Sequence, residues 1–478
     1  MVKYKTVDPL EPTILVIFGA SGELTSERLV PALFHLFNHG LLPRGFKLVG
    51  FSRRAFSHQE FRKRLAIRHR NWEKFARSIS YHPGNFTDPA DFRSLAQYLH
   101  EMEGRGHTCA NRLFYFATLP THYDTISEEL KKSGLLIGCG RHKRETRVLL
   151  EKPFGFDLRS ANRLDQTLNK YFREEQIYRI DHYLAKETVQ NIFAMRFGNT
   201  IFEPLWNRLY VDHVQISALE DVGVNERGAY FERVGTISDM FQSHLLQLLA
   251  IIAMEPPRDL TTASIRAARG NVIKEIRKPA TKELIGNLVI GQYRGYHKEP
   301  NITAGSAVET YAALKLFIDS ERWEDIPFYL RSGKRMGKKT TTVSVHFKPN
   351  ATPLFEKAGL RGNTLIFQIQ PDEGVYLEIM AKYPGFGIRL HPIRLKFGYG
   401  DFMAPQTPDA HERLLLDFMQ GDQRLFAATE EIEAAWEYID VLKKYARGKK
   451  PTIYEPGGEG PKEAEKLIQK DDRQWLKI

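Results

Sequence analysis

Residues 14–37 read ILVIFGASGELTSERLVPALFHLF. Ile14 to Phe18 is a short continuous apolar run that stops at Gly19, the pattern of a strand buried on both faces. From Ser26 to Phe37, Leu29, Leu33, Leu36 and Phe37 recur at helical spacing, and Gly40 stands just beyond as a C-terminal cap. Pro31, inside that pattern, kinks the helix or moves its start. Strand, glycine turn and helix make the unit from which parallel sheets are wound. Working outward, Lys47 to Phe51, Leu113 to Ala117 and Arg147 to Leu150 repeat the strand pattern. Helical stretches near Glu60 to Arg68 and Tyr123 to Lys132 alternate with them, which predicts a doubly wound Rossmann α/β domain with a parallel sheet.

After about residue 200 the texture changes. Strand-like runs at Val211 to Leu219, Ala312 to Ile318, Thr341 to Phe347, Thr364 to Gln370 and Gly374 to Met380 follow one another with few helices between them. That pattern predicts an α+β domain with a large, mostly antiparallel sheet, covered by helices at Ser238 to Met254 and Ala410 to Gln420. Pro405 to Pro408 and Glu455 to Pro461 read as connections, and Asp409 as a helix cap.

The chain's 478 residues suffice for two to four domains, and 42% hydrophobic against 27% charged residues is the balance of a globular protein rather than a disordered one. The longest apolar stretch, Leu245 to Met254, is interrupted by Gln247 and falls far short of the ~20 residues that cross a bilayer, so no membrane role is expected. The N-terminus MVKYKTVDPLEP carries Asp8 and Glu11 where a secretion signal needs apolar residues. Two cysteines, Cys109 and Cys139, give neither a disulfide framework nor a metal-site spacing, and a reducing cytoplasm is the expected location. The net charge of 69 − 58 = +11 suits anionic partners. With Lys and Arg spread along the chain and no basic tail, small phosphorylated ligands are expected rather than nucleic acid.

Gly19-Ala20-Ser21-Gly22-Glu23-Leu24-Thr25 is a variant of the G-x-G-x-x-G turn, whose backbone amides and helix dipole hold a pyrophosphate. A preference for NAD requires Asp or Glu at the end of the second strand. Here that strand ends Gly50-Phe51-Ser52-Arg53-Arg54, and guanidinium groups suit the 2′-phosphate of NADP. Farther on, Asp181-His182-Tyr183-Leu184-Ala185-Lys186 gathers phosphate donors; a helix starting near Asp181 would align His182, Tyr183 and Lys186 on one side. His244 lies on a largely apolar helix with Met240 and Leu248 as its i ± 4 neighbours. Spacing alone favours a hydrogen-bonded core histidine; the alternative is a general base whose tautomer a carboxylate fixes.

Gly19 to Thr25, Glu151-Lys152-Pro153-Phe154-Gly155, Arg179 to Glu187, Gly235 to Gln247 and Pro327 to Lys334 (PFYLRSGK) resemble, in order and spacing, the signature segments of glucose-6-phosphate dehydrogenases. The likeness continues through Gln370-Pro371 and Pro408 to Leu414. The resemblance implies an NADP-binding Rossmann domain over residues 1–181 and a substrate-binding and oligomerisation domain over 182–478, assembled as a homodimer or homotetramer. It also implies oxidation of glucose 6-phosphate to 6-phosphogluconolactone, the first step of the oxidative pentose phosphate pathway, without a metal. His244 would be the base and Asp181 its orienting carboxylate. His182, Tyr183, Lys186 and Lys339 would hold the phosphate, while Lys152, Glu220, Asp239 and Lys334 meet the sugar hydroxyls. Gly19, Ala20, Ser21, Gly22, Glu23, Leu24, Arg53 and Lys152 would hold NADP. Glu23, Thr25 and Ser243 depart from the family's usual Asp, Ala and Asn. Gln368 replaces an arginine of eukaryotic members that carry a second, structural NADP site, which is not expected here. The competing readings are a dehydrogenase of other hexose phosphates and a catalytically silent NADP-binding regulatory paralogue.

Overall fold

The computed structural model describes residues 11–106, 109–137, 145–350, 361–402 and 408–477. The chain divides into two compact units, Met1–Ala185 with Pro408–Thr429, and Lys186–Thr407 with Glu430–Ile478.

The first unit is built on β1 (Thr13–Phe18), β2 (Lys47–Ser52), β3 (Ile79–Pro83), β4 (Asn111–Phe116), β5 (Thr146–Leu150) and β6 (Ile177–Ile180). They form a parallel sheet in the order β6-β5-β4-β1-β2-β3, extended beyond β6 by the antiparallel pair of residues Phe426–Ala427. Every residue of β1 is buried, as its unbroken apolar run requires. The chain then turns helical, first as a π turn over Thr25–Leu29 and then as α1 (Val30–Asn38). Pro31 has no N–H to give to the preceding turn. That turn widens, and the Val30 N–H reaches back five residues to the Thr25 carbonyl. Gly40 ends the helix in the left-handed region at φ 69°, with Leu41 N–H returning to Leu36 O at 3.0 Å.

The helix Ala410–Gln420, expected over the antiparallel sheet, belongs instead to the first unit. Asp409 caps it as the sequence suggested, its side chain accepting the His411 N–H. Leu414, Leu415, Phe418 and Met419 join the core formed by Leu29, Leu33 and Leu36. Amphipathic spacing gives a helix its buried face but not the sheet that face will meet, which is why this assignment went astray. The helix's C-terminal carbonyls are met by Arg147 of β5, which donates to Phe418 O at 2.8 Å and Met419 O at 3.0 Å. Cys109 is disulfide-bonded, a bond that the spacing of two cysteines did not announce. Cys139 and the segment from Pro405 to Thr407 lie outside the described residues.

The second unit's sheet contains β7 (Val211–Leu219), β8 (Leu288–Tyr293), β9 (Tyr311–Leu316), β10 (Phe328–Gly333), β11 (Thr340–Phe347), β12 (Thr364–Gln370), β13 (Gly374–Lys382) and β14 (Leu390–Gly398). Their order is β14-β13-β12-β11-β7-β10-β9-β8, with Thr452–Tyr454 beside β8. Pairing is antiparallel except between β7 and β10 and between β8 and Thr452–Tyr454. One sheet margin is bare: β14 is solvent-exposed along most of its length, and Phe386, Ile388, Ile393 and Leu395 are exposed near it. Helices α2 (Glu187–Phe197), α3 (Gly228–Thr236) and α4 (Leu246–Ala253) belong to this unit, with a π segment, Ile237–Leu245, joining the last two. All nine residues of that segment are buried, and it packs on β7 and β10.

A charged donor to two helix-end carbonyls contributes about 2 kcal/mol. Arg147→Met is therefore expected to raise hydrogen exchange selectively in amides of 410–420; unchanged protection there would refute the capping role.

Candidate active site

Within the first unit, the carboxyl ends of β1, β2, β4 and β5 open onto a cleft of about 720 Å3, whose lining includes Gly19, Ser21, Gly22, Leu24, Ser52, Arg53, Thr118, Glu151 and Lys152. Ligands of doubly wound sheets bind at this end. The glycine turn is drawn tight by its own backbone: Gly19 and Ala20 N–H donate to Phe51 O at 2.9 and 3.3 Å, and Gly22 N–H to Gly19 O at 3.0 Å. Gly19 sits at φ 87°, and a Cβ there would come within 2.3 Å of Ala117 O, so glycine is obligatory. The helix that starts next leaves its first-turn amides without intrahelical acceptors, ready for an anion.

At the β2 end, the hydroxyls of Ser21 and Ser52 lie 2.7 Å apart, and Arg53 lines the cleft. Tyr81 of β3 fixes this corner by donating to Ser52 O at 3.0 Å and Arg54 O at 2.6 Å. Hydroxyls and a guanidinium at this corner suit a dinucleotide carrying a 2′-phosphate. Beyond β5, Glu151 accepts from the Tyr115 hydroxyl, and burial raises the Glu151 carboxyl above the ordinary carboxylate range. Of the expected cofactor residues, Gly19, Ser21, Gly22, Leu24, Arg53 and Lys152 line the cleft. Ala20 is buried beneath the turn, and Glu23 is exposed. Ser52, Thr118, Glu151 and the bracing Tyr81 were not legible as site residues, because nothing in their spacing separates them from ordinary strand ends.

The stretch after β6 departs from expectation. No helix begins at Asp181: residues 182–185 form a turn, and α2 starts at Glu187 with Lys186 at its N-cap position. Asp181 is buried and its Oδ1 accepts the Tyr183 N–H at 2.9 Å, an Asx turn that takes the place of helical bonding. The rings of His182 and Tyr183 lie 5.2 Å apart.

In the second unit the Lys186 ammonium donates to Gln370 Oε1 at 2.9 Å, and Gln370 pairs with Thr341 across β11 and β12. Lys186 therefore reaches the end of β11 that the exposed Lys339 precedes. Lys334 pairs with Glu220 at 2.6 Å. Asp239 is buried and accepts from Tyr230 Oη at 3.3 Å, and together burial and that carboxylate push the Tyr230 phenol upward. His244 is buried in the π segment, not on the regular helix expected. Backbone bonds that run i→i+5 widen the turn that carries both Asp239 and His244 and change which residues share a face from those of a regular helix. Ser243 Oγ reaches the Asp239 carbonyl at 3.5 Å, and Gln368 donates to Thr340 Oγ1 and Gln370 O within the sheet.

Residues 16–191 match the family model of the glucose-6-phosphate dehydrogenase NAD binding domain, and residues 193–476 that of the glucose-6-phosphate dehydrogenase C-terminal domain. The chain is 40% identical to glucose-6-phosphate 1-dehydrogenase of Chlamydia muridarum (strain MoPn / Nigg), over 98% of each. It is also 40% identical to that of Treponema pallidum (strain Nichols), over 97% of this chain and 95% of the relative. A solved glucose-6-phosphate dehydrogenase in complex with its substrate glucose-6-phosphate superposes with a TM-score of 0.91 at 29% identity, covering 99% of this chain and 100% of that one.

Replacing Arg53 with Ala is expected to weaken binding of a 2′-phosphorylated dinucleotide ~10- to 100-fold, the worth of one or two charge-assisted hydrogen bonds, while leaving a dinucleotide without that phosphate nearly unaffected. Equal losses for both, in a titration of each, would remove Arg53 from phosphate recognition.

Proposed function

The chain belongs to the glucose-6-phosphate dehydrogenase family, and from that premise we propose how its own residues perform the reaction. The enzyme oxidises glucose 6-phosphate at C1 to 6-phosphogluconolactone, the first step of the oxidative pentose phosphate pathway. Bound in the glycine-turn cleft, NADP supplies the hydride acceptor. His244 takes the proton of the C1 hydroxyl as the hydride leaves C1, and the C–O bond becomes the lactone carbonyl. Asp181 orients that imidazole and stabilises its cationic form.

The observation that supports this reading is the wholly buried π segment Ile237–Leu245, which carries both Asp239 and His244. π turns recur at functional sites because an unusual registry persists only where something other than stability maintains it. Lys186 and Lys339, with His182 and Tyr183, neutralise the 6-phosphate. Lys152, Glu220, Asp239 and Lys334 accept from and donate to the sugar hydroxyls; the Lys334–Glu220 pair at 2.6 Å offers both signs of charge to a polyol. Gly19, Ala20, Ser21, Gly22, Glu23, Leu24, Arg53 and Lys152 hold the cofactor, with Ala20 and Glu23 contributing backbone only. On this reading residues 1–181 are the cofactor domain and 182–478 the substrate domain, although 408–429 packs with the former. A cytoplasmic location belongs to the same proposal, since a sugar phosphate and NADP are charged metabolites that do not cross bilayers unaided.

We also infer a homodimer or homotetramer. The bare margin at β13 and β14, with Phe386, Ile388, Ile393 and Leu395 exposed, is the kind of apolar sheet surface that soluble proteins cover. Sedimentation of the Ile393→Asp, Leu395→Asp variant is expected to give a smaller species than the parent; an unchanged species would exclude this face.

Removal of a general base typically costs ~10²- to 10⁴-fold in turnover. His244→Asn should lose that much kcat while glucose 6-phosphate still binds, which calorimetry can check. Weakened binding with kcat unchanged would reverse the assignment.

A further inference from the structure

The segment that carries His244 does not continue smoothly from α3. At Gly235 the backbone leaves helical space, with φ 62° and ψ 175°, and the π segment starts two residues later at Ile237. That conformation is open essentially to glycine alone. The break is held from outside the helix by Glu309, two residues before β9. Thr236 N–H donates to the Glu309 carbonyl at 3.1 Å, and Ile237 N–H donates to Glu309 Oε1 at 3.0 Å. A Cβ on Gly235 would come within 2.4 Å of Oε1 and 2.8 Å of Oε2, so the carboxyl group occupies the space that any other residue would fill. Desolvation pushes the Glu309 carboxyl up to about 7.

The neighbouring residue works on the sugar-binding pair. Thr310 O accepts the Lys334 N–H at 3.0 Å, Thr310 Oγ1 accepts the Tyr293 N–H at 2.9 Å, and Thr310 N–H donates to Gly291 O at 2.8 Å. Lys334 in turn holds Glu220. Two consecutive residues at the start of one strand thus tie down both the first turn of the His244 segment and the backbone of Lys334.

We propose that Glu309 is a positioning residue for the reaction: by capping Thr236 and Ile237 it sets the registry of the π segment and so fixes where along it Asp239 and His244 stand. This rests on the reading of His244 as the base. A carboxylate is suited to the task because the first turn of a helix presents unpaired N–H groups and a partial positive charge. The substrate itself need not touch Glu309.

The test is steady-state kinetics with glucose 6-phosphate and NADP on the full-length enzyme. Glu309→Ala is expected to lower kcat ~10- to 100-fold, the scale of a misplaced catalytic group, with KM for glucose 6-phosphate changed less than ~3-fold. Glu309→Gln, which keeps an oxygen for the Ile237 N–H, should recover most of the loss. In the His244→Asn background Glu309→Ala should add no further loss, because its effect runs through the base. Unchanged kcat in Glu309→Ala, equal losses in the Ala and Gln variants, or losses that add to that of His244→Asn would each overturn the proposal. Should Glu309→Ala not fold, Gly235→Ala displaces the same carboxyl group, and unchanged kcat there overturns it equally. Full turnover in His244→Asn, by contrast, defeats the base assignment itself, whatever the Glu309 variants do.

Discussion

The carbonyl oxygen of Phe51 accepts hydrogen bonds from Gly19 and Ala20 together, and the first unit depends on that pinch. It pulls the end of β1 onto the end of β2 while Ala117 O closes on Gly19 from β4. With three strand ends drawn together, the glycine turn has a single course to follow. Arg53, Thr118 and Lys152, which follow β2, β4 and β5 within two residues, then line one cleft. A side chain at position 19 would separate strands whose apolar residues account for most of the unit's core, so the cradle and the sheet have a common determinant.

In the second unit burial does comparable work by different means. The nine residues from Ile237 to Leu245 are all buried, polar ones included, and Ser238, Asp239, Gln242, Ser243 and His244 are among them. Polar side chains in such numbers are costly inside a protein unless each finds a partner. The widened winding changes which residues face the same way, and the Glu309 carboxyl group and carbonyl at its start meet two amides that a regular helix would leave for water. Chemistry and stability therefore press on the same nine residues from opposite directions.

Much of this was legible in the amino-acid order, for reasons that can be assigned residue by residue. The unbroken run from Ile14 to Phe18 reads as a strand covered on both faces, and Gly40 reads as the end of a helix. The arginine after β2 pointed to a 2′-phosphate because no acid stood in its place. Hidden information was of two kinds. Local competition was one: Asp181 bonds its own backbone two residues on, so a turn forms where spacing alone suggested a helix, and Pro31 widens the turn before it. Long-range pairing was the other. Tyr81 bracing Arg54, Glu309 capping Ile237 and Ala410–Gln420 packing on α1 each join positions 27, 72 and several hundred residues apart, and no periodicity encodes such encounters.

The helix Ala410–Gln420 and the strand residues Phe426–Ala427 complete a unit whose other members all precede residue 186. A ribosome that has released β1 to β6 has therefore not released a finished domain: the faces awaiting Leu414, Phe418 and Phe426 are still bare, and the carbonyls that Arg147 will meet have yet to be made. More than two hundred residues of the other unit must emerge first. Synthesis in the cell thus separates the start of the cofactor-binding fold from its closure, leaving an apolar surface for a chaperone to shield in the interval.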